Sequence, residues 1–277
     1  MADHPMRRHL IETNHGHMHV TTAGEGNGTP FVLLSPGLSA SRIYEPLAMQ
    51  LPDRWLVMPD RLGFGHSDRL SEPISFGEYA ASTLEALTAL GIEQFDAFGI
   101  HTGSVEAIEL AVSHPDRVRR IAVVEVPAFS EEEIEEFKSH YVSHREPAAD
   151  GSHLDWYWRW WFVGGYDGGT PRPRTYAPEL TQRWALEHLA ALPDFWWAYH
   201  ATIEHPTREL APRVTQPFLV FSTHDDLTEQ TMRAIPTLPP QATVVDLPKL
   251  ADVLAFFAWL PGDTEIVLGH LLPFLDA

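Results

Sequence analysis

Six short apolar runs recur along this chain, and their spacing limits what it can fold into more than any other feature. FVLLS (31–35), WLVMP (55–59), FDAFGI (95–100), IAVVE (121–125), PFLVFS (217–222) and ATVVD (242–246) are each five or six residues long and rich in Val, Leu, Ile and Phe. Runs of that length without polar alternation read as strands covered on both faces. Between them, YAASTLEALTAL and SVEAIELAVSH carry the spacing of helices. The alternation predicts an α/β fold, a mostly parallel sheet flanked by helices.

The alternation stops between residues 127 and 214. That stretch holds SEEEIEEFKSHYVSH, WYWRWWFVGGYDGG and RWALEHLAALPDFWWAYHATIEH, with no strand signal. We read it as an inserted helical cap over a core made of residues 1–126 and 215–277. A cap there would lie over the carboxyl ends of the strands, where open α/β sheets bind ligands. Trp156, Trp158, Trp160, Trp161, Trp184, Trp196 and Trp197, of nine tryptophans in the chain, fall inside it. Some of these rings serve only to glue the insertion to the core. Trp158, Trp161, Trp196 and Trp197 are the candidates for lining an apolar substrate pocket.

The segment FGIHTGS has the form of a sharp strand-to-helix turn, G-x-S-x-G, with His101 where a nucleophilic serine would stand. Gly99 and Gly103 leave room for the helix to pack on the strand. Ser104 does not replace the missing nucleophile: its neighbours include the long Glu106, and it would lie one turn into the helix. Four segments in order carry a wider resemblance. They are LLSPGLSAS, VMPDRLGFGHSD (through Pro59, Asp60, Gly63, Gly65 and Ser67), FGIHTGSVEAIELAVSHPDRVRRIAVVEV and PFLVFSTHDDLTEQ. Together they resemble the α/β-hydrolase superfamily, in its branch with a helical cap, over nearly the whole chain.

The resemblance implies site residues. Pro36-Gly37 stands where the family has His-Gly, so Leu38 would supply one oxyanion-hole N–H and Thr102 the other. The spacing from the strand end selects Asp225 as the acid, with Asp226 second. The family's histidine would fall at Ala251-Asp252, where the chain has Asp252 instead. His270 lies too late and reads as a surface or helix-face residue. Two of three triad positions are therefore altered, which disfavours ordinary serine-esterase chemistry.

An imidazole at position 101 projects further than a hydroxyl and could be oriented by Asp225, Asp252 or both, which leaves it competent as a general acid or base. The expected activity is hydrolysis of a small apolar ester- or ketone-like substrate. Two alternatives stand beside it: a non-hydrolytic proton transfer (lyase, dehydratase, cyclase or isomerase), and a catalytically silent ligand-binding protein on a hydrolase scaffold. His224 and His66 are lesser candidates on loops at strand ends. His15, His17 and His19 alternate and, on one strand, would share a face able to bind a metal; they read more simply as a polar strand face. No cofactor is expected, because there is no phosphate-binding loop or dinucleotide fingerprint.

Composition narrows the partners. A net charge of −19 argues against nucleic acid or an anionic membrane surface. The absence of cysteine removes disulfides, thiolate metal sites and a cysteine nucleophile. The first twenty residues lack the apolar run of a signal peptide, and no stretch reaches the ~20 apolar residues of a membrane helix. A cytoplasmic protein acting on a small molecule is the expectation; its oligomeric state is not legible.

Overall fold

The computed structural model describes residues 6–141, 146–159, 178–223, 227–247 and 261–277. Eight strands form one sheet: β1 (Arg7–Thr13), β2 (Gly16–Ala23), β3 (Phe31–Leu34), β4 (Leu56–Pro59), β5 (Phe95–Ile100), β6 (Val118–Val124), β7 (Phe218–Ser222) and β8 (Ala242–Asp246). Their spatial order is β1-β2-β4-β3-β5-β6-β7-β8. β1 and β2 make an antiparallel hairpin, β2 pairs antiparallel with β4, and every other pairing is parallel. The six apolar runs are β3 to β8. Strands β3 to β7 are buried almost throughout, whereas β8, expected to be buried, is an edge strand with Val244 exposed. A single neighbour leaves an edge strand partly uncovered.

The described helices are α1 (Glu45–Ala48), α2 (Phe76–Ala89), α3 (Thr102–Ser113), α4 (Glu131–Tyr141), α5 (Ser152–Trp158), α6 (Pro178–Ala190), α7 (Trp196–Glu204), α8 (Thr207–Leu210), α9 (Thr228–Ala234) and α10 (Pro261–Asp276). α2 starts on a capping box: the Glu78 N–H donates to Ser75 Oγ at 3.3 Å, and the Ser75 N–H donates to the Glu78 carboxylate at 2.7 Å. Between β6 and β7 every described regular element is helical. α6 and α7 are separated at Ala191–Phe195, where Pro193 cannot continue a helix. None of the described helices is long and apolar enough to cross a membrane.

The chain order places the site. After β4 it returns past β3 to begin β5, so the strand order switches direction between β3 and β5. Ligands in open sheets bind outside the carboxyl ends at such a switch. Those two ends carry residues 35–38 and His101. The helical segment is anchored beside them. Arg69 donates to the carbonyls of Ala190 and Leu192, the Ala40 N–H to Glu187 at 3.4 Å, and His205 Nε2 lies 2.9 Å from Glu109 on α3.

Candidate active site

β5 turns into α3 through a single residue. His101 sits at φ 50°, ψ −107°, a conformation an L side chain rarely adopts. The two flanking glycines are obligatory for a physical reason. A Cβ on Gly99 would run into the carbonyl of Gly103, and a Cβ on Gly103 into the carbonyl of Leu34. The His101 N–H donates to Val124 O at 3.1 Å, which fixes the turn against β6. Ser104 is fully buried, and its Oγ lies 3.0 Å from Gly99 O and 2.8 Å from Val124 O. Its hydroxyl is thus a structural clasp under the elbow, and His101 holds the tip.

Leu38, in the loop after β3, also has a positive φ of 62° and is buried. Thr102 opens α3, so its amide belongs to the helix's unpaired first turn, at the positive end of the dipole. Among the described residues neither the Leu38 nor the Thr102 amide donates a hydrogen bond. α7 closes over this loop. A Cβ on Gly37 would stand 2.9 Å from the Tyr199 hydroxyl and 3.0 Å from Thr102 Oγ1. The β3 loop, the elbow and the Tyr199 ring therefore meet at one point.

Asp225, Asp226 and His224 lie outside the described residues, as do Asp252 and Trp161. Trp158 is described and 40% exposed. Trp196 and Trp197 are half-buried and meet edge-to-face at 6.0 Å, and Trp196 also stacks edge-on to His200. Trp197 lines a small cleft with Phe64, Arg69, Leu70 and Phe195, with room for about one water molecule.

Two buried carboxylates were not anticipated as site neighbours. Glu125 follows β6 at φ 61° and is fully buried; its Oε1 accepts hydrogen bonds from the N–H and Oγ1 of Thr223 at the end of β7. It adjoins Val124, whose carbonyl receives the elbow N–H. Glu106 on α3 lies 2.7 Å from Arg61 Nη2 and accepts from Thr83 Oγ1, while Arg61 also donates to Ser35 O. A charged residue ending an apolar run, as in IAVVE, was the available signal for Glu125.

The three N-terminal histidines do not all share a strand face: His17 and His19 lie on β2, but His15 lies in the turn before it. Each instead meets a different carboxylate. His15 lies 3.9 Å from Glu78, His17 3.0 Å from Asp68 and His19 2.9 Å from Asp60. Burial by itself would push the Asp60 carboxyl up, but hydrogen bonds from His19, Ser41 and His66 outweigh it and hold the group below its ordinary range. His270 is exposed on α10, its ring edge-on to Phe221.

A model of the α/β hydrolase fold family matches residues 30–250. Among curated proteins, the chain is 39% identical over 72 residues to a 2-hydroxymuconate semialdehyde hydrolase of Pseudomonas putida, covering 26% of each chain. It is 33% identical over 122 residues to a putative carbamate hydrolase of Caulobacter vibrioides, covering 43% of this chain and 45% of that one. The matched segments thus span between a quarter and just under half the length of these relatives. Among solved structures, a hydrolase from Pseudomonas aeruginosa superposes with a TM-score of 0.76 at 16% identity, covering 98% of this chain and 99% of that one. The enol-lactonase from Burkholderia xenovorans does so at 0.75 and 18%, covering 97% and 100%. At those identities the structural likeness establishes a shared fold.

Proposed function

The chain belongs to the α/β-hydrolase fold family, and from that premise we propose that it hydrolyses a small apolar ester- or ketone-like substrate with His101 as general acid and base. The observation that carries this reading is the strained backbone of His101 between two glycines that tolerate no Cβ. Strain of that kind persists where a turn must present a side chain. The curated relatives named above support a carbonyl substrate, since a semialdehyde and a carbamate both contain one.

In the proposed reaction His101 takes a proton from water as the water oxygen bonds to the substrate carbonyl carbon. The carbonyl electron pair moves onto oxygen, which the Leu38 and Thr102 amides receive. The intermediate then collapses, the bond to the leaving group breaks, and that group takes the proton back from His101. Asp225, Asp252 or both orient the imidazole and stabilise its charged form. Trp158, Trp161, Trp196 and Trp197 supply apolar walls, and the helical segment between residues 127 and 214 acts as the cap.

The test is hydrolysis of a panel of short- and medium-chain aryl esters by wild type, His101→Ala and His101→Gln. Positioned acid–base groups contribute about 10²–10⁴-fold, and a loss of that order in both variants is expected. Full turnover by either variant overturns the role of His101. A wild type that binds apolar ligands but turns over no ester overturns the hydrolase reading.

A further inference from the structure

Away from the elbow, the fold gathers His19 from β2, Asp60 from the end of β4 and His66 from the following loop. One donor atom of each lies within 4.8 Å of the other two. We propose that these three side chains form a binding site for a divalent transition-metal ion of the zinc class, distinct from the hydrolytic centre.

The distances suit such an ion. His19 Nδ1 is 2.9 Å and His66 Nδ1 3.7 Å from the same Asp60 oxygen, Oδ2. The two imidazole rings stand 5.0 Å apart between centroids. With metal–ligand bonds of about 2.1 Å, neighbouring donors lie about 3.0 Å apart at right angles and about 3.4 Å apart in a tetrahedron. The two separations from Asp60 Oδ2 bracket those values, and the imidazole donors lie within 4.8 Å of each other, so seating an ion requires the His19 contact to open slightly and the His66 ring to swing in. Two imidazoles and one carboxylate select zinc, cobalt, nickel or copper over calcium and magnesium, which take oxygen donors.

The surroundings hold the ligands in place. Asp60 is fully buried; its Oδ1 accepts the Ser41 N–H at 2.6 Å and its Oδ2 the His66 N–H at 3.0 Å. The His19 N–H donates to Ser67 Oγ at 2.8 Å, and that hydroxyl donates to Asp60 O at 2.6 Å. Such outer contacts fix ligand orientation before an ion arrives. His66 has a side-chain exposure of 57%, which leaves an entry path and room for water as a fourth ligand. His17, two residues before His19 on β2, pairs instead with Asp68, further along the loop that carries His66, and His15 with Glu78. An ion there would join β2 to the loop that continues into Arg69, whose guanidinium donates to the carbonyls of Ala190, at the end of α6, and of Leu192 just beyond it.

The experiment titrates the tag-free full chain with Co²⁺ and then Zn²⁺, following visible absorption and the thermal midpoint. One equivalent of Co²⁺ should bind with ligand-field absorption and be displaced by Zn²⁺. Zn²⁺ at a hundredfold its Kd should raise the folded-to-unfolded ratio about 100-fold. His66→Ala, which alters an exposed ring, should stay folded by circular dichroism and lose the bound equivalent; His17→Ala should retain it. Absence of binding by wild type, undiminished binding by His66→Ala, or loss of binding in His17→Ala would each overturn the proposal.

Discussion

Replacing His101 by glycine and, separately, by alanine isolates the strain of the elbow from the chemistry of its side chain. Both variants lose the imidazole and whatever it touches, so that loss cancels between them. Alanine keeps a Cβ at φ 50° and therefore keeps the backbone strain, about 1–3 kcal/mol. Glycine escapes the strain but adds about 0.4–1 kcal/mol of chain entropy to the unfolded state. The difference favours glycine by about 1 kcal/mol. At an unstrained helix or strand position the sign is opposite, with glycine the less stable by about 0.5–1 kcal/mol. Urea unfolding with an unchanged m-value measures it directly, as a higher midpoint for His101→Gly than for His101→Ala. A glycine variant less stable than alanine by the ordinary margin would refute the claim that the elbow is strained. Both variants should lose about 10²–10⁴-fold of the wild-type turnover of aryl esters.

The other predictions concern the groups around the elbow. Gly103→Ala should destabilise by about 3 kcal/mol or more, because its Cβ meets backbone rather than a movable side chain, and a shift below 1 kcal/mol in urea would contradict that contact. Glu106→Leu should cost about 3–5 kcal/mol by leaving the Arg61 guanidinium buried without its carboxylate, whereas Arg61→Met with Glu106→Leu should recover most of the loss. Additive costs in that cycle would show that the pair is not a unit. Stability should fall on acidification. The His205 hydrogen bond outweighs burial and holds the Glu109 carboxyl low, and the bonds to Asp60 do the same. Each contributes stability above its unfolded pKa of about 4 that is lost as pH drops through the lowered folded value. Urea midpoints measured from pH 6 down to 3 check this, and Glu109→Gln should flatten part of the slope.

What the sequence made legible depended on how local the cause was. Strands β3 to β7 could be read from composition alone, because a strand covered on both faces must be apolar at every position. The β8 run looked the same but lies at the edge, and edge position is decided by sheet order rather than by its own residues. The elbow was legible because its geometry is a matter of five consecutive residues, with Gly99 and Gly103 spaced for it. The fate of Ser104 followed from the same turn. His15, His17 and His19 were harder. Alternation predicts a shared face only if the strand includes all three, and the hairpin turn takes His15.

The buried charges were illegible for a different reason. A lone Asp or Glu is read as exposed because burial without partners is costly, and the partners here come from distant segments. Yet their placement has a logic that bears on the site. Asp60 and Glu125 follow β4 and β6 at the same end of the sheet as His101. Each carboxylate receives backbone N–H groups from a neighbouring loop: Asp60 those of Ser41 and His66, Glu125 that of Thr223. The Ser41 contact restrains the loop that carries Leu38, and the Thr223 contact restrains the backbone that leads into Asp225. Precision in a site comes from side chains that hold the loops around it as much as from those that react. On that argument the two carboxylates act on the chemistry through position. Asp60→Asn or Glu125→Gln should weaken turnover by loosening the loops of the proposed oxyanion hole and the candidate acid, while leaving His101 in its turn.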